Sequence, residues 1–251
     1  HVTACLQPLV QRSYDANKFR SDISRALRRS LTFMKDAVLL LRPRVVRLLA
    51  RPSPPVLIAS DAMDEQGYGR GGWVIIALPD IECPPHRRRE LLHRATVYVS
   101  DGEQPDQVTQ RFLTGRETYI GQGELLWAAS PWATCPELLR GRDVIHFIDN
   151  TSAIAGLVKG TTSWLDSGLI VNAVHAMVIA LDATPFFAHV RSKRNIGDPP
   201  SRSNPELAIR ILRAAGFPPE RITYLPVPLL PSLSQYESPA AAWADLVRSD
   251  A

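Results

Sequence analysis

Cysteine is scarce in this 251-residue chain. The three residues, Cys5, Cys83 and Cys135, lie far apart and form no C-x-x-C pair. That spacing supports neither a zinc site nor a disulfide framework, and a reducing compartment is the simplest inference. No apolar run reaches the roughly 18 residues that a membrane-spanning helix needs, so no membrane span is expected. The chain opens on His1, without an initiating Met or a signal-peptide pattern, and reads as a fragment or processed product that is not secreted. No internal repeat is visible. Acidic residues are outnumbered, 25 against 29 basic ones, for a net charge of +4. So mild an excess suits a polyanionic partner, and it suits a solvated basic surface equally well. Arg outnumbers Lys heavily, and the planar guanidinium is the better fork for phosphate.

What is present is an ordinary apolar content of 45%, enough for a real core. Ser21 to Ala50 has helical periodicity through Leu27, Leu31, Met34, Val38 and Leu41, until Pro43 kinks or breaks it. The run RPSPP (Arg51 to Pro55) follows as a stiff linker. Strands are expected at Val56 to Ser60, Gly72 to Leu78, Ala95 to Val99, Val144 to Ile148 and Pro185 to Val190. Helices are expected at Gly121 to Cys135, Thr151 to Val158, Ser163 to Leu181 (capped by Ser163) and Pro205 to Ala214. The order β-β-β-α-β-α-α-β-α implies an α/β fold, a mixed sheet covered by helices. The proline-rich tail from Gly216, with PVPLLP at Pro226 to Pro231, reads as an irregular surface extension. Three regions result: a helical arm over 1–54, a central domain over 55–204, and a helix with an irregular extension over 205–251.

Two of the expected buried strands end in Asp, at Asp61 (LIASD) and Asp149 (HFID). In such sheets side chains leave the core and meet solvent at strand ends, although a lone Asp there is more often a turn or cap residue. Glu124 opens an apolar helix, where a first-turn Glu complements the helix dipole. Asp198 follows the last strand and precedes a proline, as an N-cap would. Taken one at a time, each has an ordinary explanation. Taken in order, four carboxylates match what phosphodiester hydrolysis requires, since two Mg²⁺ ions clamp the attacking water and the leaving oxygen through oxygen ligands.

The order and surroundings of Asp61, Glu124, Asp149 and Asp198 resemble the Asp-Glu-Asp-Asp set of the ribonuclease H family, most nearly the ribonuclease H domains of retroelement reverse transcriptases. SDAMDEQGYGRGGWV is similar to the family's first motif, GELLWAA to the helix bearing its Glu, FIDNTSAIAGLVKG to the third motif and HVRSKRNIGDPPSR to the fourth. The likeness runs from about Pro55 to Asn204. It implies an RNase H-like fold with a five-stranded mixed sheet, three antiparallel strands and then parallel ones, flanked by helices. It implies a metal-dependent endonuclease that cuts the RNA strand of an RNA–DNA hybrid with two Mg²⁺ or Mn²⁺ ions. Asp61, Glu124, Asp149 and Asp198 would be the ligands and catalytic carboxylates. Asn150, Ser152, Asn195 and Arg202 would contact the hybrid backbone or support the ligands. Gly67, Gly69 and Gly71 would let backbone approach nucleic acid closely.

The same resemblance makes the polymerase part of a reverse transcriptase a possible partner, the arm a remnant of its connection region, and the nucleus or cytoplasm the setting. A second reading is a domesticated, non-catalytic scaffold or nucleic-acid-binding subunit, against which four mutually repelling carboxylates argue. An integrase-like or exonuclease domain acting on DNA fits the third and fourth motifs poorly. The chain departs from the family in several places. Asp61 and Glu124 lie 63 positions apart, which implies an insertion within Pro79 to Thr118 that carries the basic run His86 to Arg89. Gly197 stands where Ala is common, and no His precedes Asp198 in its loop. His175, in an apolar helix, reads as a satisfied core residue.

Overall fold

The computed structural model describes residues 52–65, 68–105, 119–226 and 228–230, together with Leu27, Arg28, Leu31, Thr32 and Lys35. Those five arm residues are helical. The rest of the expected arm, Gly67 and the chain beyond 230 lie outside the described residues.

Among the described residues six strands form one mixed sheet. They are β1 (Val56–Glu65), β2 (Tyr68–Ala77), β3 (Thr96–Glu103), β4 (Asp143–Ile148), β5 (Thr184–His189) and β6 (Ile222–Leu225), in the spatial order β5-β4-β1-β2-β3-β6. β1, β2 and β3 are antiparallel neighbours, whereas β4 lies parallel to β1, β5 to β4 and β6 to β3. The helices are α1 (Ile120–Thr134), α2 (Pro136–Leu139), α3 (Thr151–Lys159), α4 (Leu165–Ala180), α5 (Asp198–Ser201) and α6 (Pro205–Ala214). Among the described residues no helix is long and apolar enough to cross a membrane.

Alternation along the strands divides the core into two layers. Val56 and Ile58 of β1, Trp73 and Ile75 of β2, and Val144 and Ile148 of β4 face α1, α3 and α4. α1 is apolar all round and buried from Gln122 to Trp132, as befits a central helix rather than a surface one. On the opposite face Val74, Val97 and Val99 meet Ala208 and Leu212 of the amphipathic α6.

Four sequence expectations change. β1 does not end at Asp61 but continues to Glu65, because its antiparallel pairing with β2 runs from Leu57 to Glu65. The sheet has six strands rather than five, because Ile222–Leu225 of the tail pairs with β3. Beyond β6, Ser130 Oγ donates to the Leu229 carbonyl at 2.9 Å and the Leu229 N–H donates to Thr134 Oγ1 at 3.0 Å, so this part of the tail is strapped to α1. α4 begins at Leu165 behind Trp164, with no side-chain cap from Ser163. Within the expected insertion, Pro85–Arg94 forms a 3-10 stretch whose basic run is largely exposed, with Arg87 paired to Glu90 at 2.8 Å.

Candidate metal centre

The parallel register of β1 and β4 ends with Ala59 opposite Phe147. Two residues further along the chain stand Asp61, still within β1, and Asp149, just past the end of β4, so the two carboxylates emerge side by side where the strands part. α1 packs across β1 and brings in Glu124 from the side. One carboxylate oxygen from each of Asp61, Glu124 and Asp149 lies within 4.8 Å of the others.

Asp61 and Glu124 are each only 4% exposed. Burial, followed by the charges of Asp61 and Asp149, pushes Glu124 up to about 9, against a partial offset from the Ala62 N–H it accepts. Burial raises Asp61 to about 7, Ser201 pulls it back, and the charges of Asp149 and Asp198 add to the rise. Glu124 Oε2 is buried with no hydrogen-bond partner among the described residues. An acceptor oxygen left bare inside a cluster of like charges fits a cation, which would satisfy the lone pairs and cancel the repulsion. Asp61, Glu124 and Asp149 can therefore hold a metal ion.

Asp198 is not in that trio. It is the first residue of α5, behind Gly197, rather than the N-cap itself. Its carboxylate accepts from Arg202 Nε at 2.9 Å, yet it stands near enough to be felt by Asp61. α5 is seated directly on β2, since a Cβ at Gly72 would lie 2.4 Å from Pro200 Cβ and 2.6 Å from the Ser201 nitrogen. This seating lets Ser201 Oγ donate to Asp61 Oδ2 at 2.5 Å.

Comparison with family models, curated proteins and solved structures finds no match.

The supporting residues divide by environment. Asn150 caps α3, accepting from the Ser152 and Ala153 N–H groups at 3.0 Å, and so fixes the turn that carries Asp149. At the other end of α3, Gly160 closes the helix at φ 72°. Asn195 is buried, donating to the Ser60 carbonyl at 2.9 Å and accepting from the Gly197 N–H, so its amide is engaged in holding its loop to β1. Gly197 suits that contact, because a Cβ there would lie 3.0 Å from Ser60 Cα. Ser152 is exposed, and the Arg202 side chain is 60% exposed. Gly69 and Gly71 of β2 are required by internal packing: a Cβ at Gly71 would lie 2.1 Å from the Trp127 ring, and one at Gly69 would lie 3.0 Å from Tyr119 Oη. His175 is buried with Nε2 2.9 Å from the Leu157 carbonyl.

Sequence reasoning missed the hydrogen bonds behind the carboxylates. Ser60 Oγ lies 2.9 Å from His146 Nε2, and Trp132 Nε1 donates to His146 Nδ1 at 3.3 Å. The available signal was a His facing inward in an otherwise apolar strand, VIHFI.

Proposed function

We propose that the chain is an RNase H-like, metal-dependent nuclease that hydrolyses the RNA strand of RNA–DNA hybrids, as the ribonuclease H part of a retroelement reverse transcriptase. The observation that carries this reading is the meeting of Asp61, Glu124 and Asp149 within 4.8 Å at the parting of β1 and β4. The sheet supports it too: an antiparallel β1–β2–β3 meander extended by parallel β4 and β5 is the arrangement that the family resemblance implies, with β6 an addition.

Hard oxygen donors without His or Cys suit Mg²⁺ or Mn²⁺. Two such ions would supply an activated water at neutral pH and neutralise charge building on the phosphate. Asp61, Glu124 and Asp149 would hold one, and Asp198, now sharing its charge with Arg202, is the candidate to help hold a second. Arg202, exposed at the rim, offers a guanidinium to a phosphate backbone. Ser152, exposed beside the Asn150 cap, offers a hydroxyl to the same backbone. Recognition of a hybrid by shape and 2′-hydroxyls would ask for contacts of this kind rather than base readout.

The test is incubation of the purified chain with a labelled RNA–DNA hybrid, RNA duplex and DNA duplex, each with Mg²⁺, Mn²⁺ or EDTA. Metal-dependent loss of only the hybrid's RNA strand is the expected result. Folded protein that binds the hybrid and leaves it whole would replace this reading with that of a non-catalytic nucleic-acid-binding subunit.

A further inference from the structure

Each of the elements that bring the carboxylates together also contributes one member of a single buried hydrogen-bonded chain. Ser60 of β1 immediately precedes Asp61. His146 of β4 stands three residues before Asp149. Trp132 of α1 lies eight residues, about two turns, beyond Glu124. Ser60 and His146 have no exposed surface, and Trp132 has almost none. The indole N–H of Trp132 can only donate, so His146 Nδ1 must be the acceptor and Nε2 must carry the proton donated to Ser60 Oγ. Burial holds the ring neutral, with its pKa lowered to about 3, so this tautomer persists at neutral pH. The His146 ring is further packed between Trp132 and Phe187, at centroid distances of 6.4 and 5.8 Å. Ser60 also reaches the fourth motif, because its carbonyl accepts from Asn195 Nδ2 at 2.9 Å, three residues before Asp198.

We propose that Trp132, His146 and Ser60 form a positioning relay that sets the spacing of the carboxylates, with Asn195 linking the Asp198 loop to it. The inference rests on the metal-site reading above. None of the three touches the ligand oxygens. They act by fixing the offset between β1, β4 and α1 at the level where the acids leave them. A hydrogen bond constrains direction as well as distance, which an apolar contact of the same volume does not. Residues hydrogen-bonded directly to ligands change metal affinity by on the order of 10- to 100-fold when replaced, and a relay acting one contact further out belongs at the lower end of that range.

The experiment measures Mn²⁺ binding to the full chain by electron paramagnetic resonance, alongside carbon-13 shifts of the Asp61, Glu124 and Asp149 carboxyls. His146→Leu keeps the site apolar and strands both neighbours. His146→Gln can accept from Trp132 and donate to Ser60. Ser130→Ala is the control, because it breaks an equally buried bond from Trp73 to α1 (3.0 Å) and the bond from Ser130 to the Leu229 carbonyl, neither of which joins the carboxylate-bearing strands through His146. The relay predicts that His146→Leu weakens Mn²⁺ binding by about tenfold or more. It predicts that His146→Gln restores the affinity and that Ser130→Ala leaves it unchanged even where it lowers the melting temperature. Unchanged affinity in His146→Leu, or an equal loss in Ser130→Ala, would overturn the relay.

If the wild-type chain binds no Mn²⁺, the metal reading fails by itself and the carboxyl shifts decide the relay. His146→Leu must then move all three resonances and Ser130→Ala none. Should His146→Leu not fold, Ser60→Ala and Trp132→Phe, each removing one bond, carry the same comparison and are held to the same outcomes.

Discussion

Asp61 sits at the centre of the acidic cluster by chemistry as well as by position. It accepts from Ser201, feels Asp149 and Asp198, and is held near neutrality by burial. Replacing it with Asn keeps the shape and the acceptor for Ser201 while removing one charge. Asp61→Asn and Asp149→Asn should each lower hybrid cleavage by more than about 100-fold, the upper range for residues that only support a ligand. The ion-free melting temperature should stay level or rise, because charge repulsion is relieved. Cleavage assays paired with thermal denaturation check this, and a variant that cuts at the wild-type rate would remove its residue from the site. Arg202→Ala belongs to the same scale. It takes away a largely exposed guanidinium and leaves the three clustered acids in place, so it should weaken hybrid binding and leave the fold's stability within about 1 kcal/mol, as exposed ion pairs do.

At the scale of elements, the seating of α5 on β2 connects two motifs that are far apart in sequence. Gly72 has no room for a methyl group, with Pro200 and Ser201 pressed against its Cα. Gly72→Ala should therefore cost about 1–3 kcal/mol from overpacking and pull Ser201 off Asp61. Denaturant unfolding would show the first effect, and loss of the Ser201-to-Asp61 hydrogen bond in a structure of the variant would show the second. Wild-type stability in that variant would mean that α5 is free to shift. β6 makes a separate attachment, since Tyr224 Oη donates to Asp101 at 2.7 Å, and burial, followed by that hydrogen bond, pushes the phenol up to about 12.

Five strands and four helices were legible because their apolar spacing is strong. The elements that went unseen are short or lack apolar alternation of their own. β6 is four residues in a proline-rich tail and exists because β3 has an open edge to pair with. α5 is DPPS, in which local sequence favours a turn, and it is helical where Gly72 receives it. The same limit applies to the site. Four carboxylates in order could be read from motifs, and three are brought together. Asp198 pairs with Arg202 four residues on, a local spacing present in the sequence, whereas the His146 relay joins β1, β4 and α1 through contacts that sequence spacing does not encode.

Over the whole molecule the acidic cluster is a cost that folding imposes and a cation removes. Glu124 and Asp61 are raised from 4.5 and 3.8 to about 9 and about 7. The unfolded chain releases these protons by about pH 5 while the ion-free fold keeps them, so the folded state binds more protons at neutral pH and its stability falls as pH rises. Their contribution is fully present below about pH 4 and is lost progressively up to about 9. His146 runs the other way, because its lowered pKa means that stability is lost as pH falls from 6.5 toward about 3. Between pH 6.5 and 9 the imidazole of the unfolded chain is increasingly neutral, and the carboxylates dominate. In EDTA the melting temperature should therefore decline across that interval. A divalent ion at about 100 times its Kd stabilises the fold by about 2.7 kcal/mol. For a domain of this size that is about 5–10 °C. The gain should be larger at pH 8 than at pH 6.5, because protons on Asp61 and Glu124 compete with the ion at the lower pH. Scanning fluorimetry with Mg²⁺, Mn²⁺ and EDTA at those two pH values measures both slopes. A melting temperature that ignores divalent ions at both would separate the cluster from metal binding altogether, whereas a pH-dependent gain lost in Glu124→Gln would tie it to the buried Glu124 Oε2.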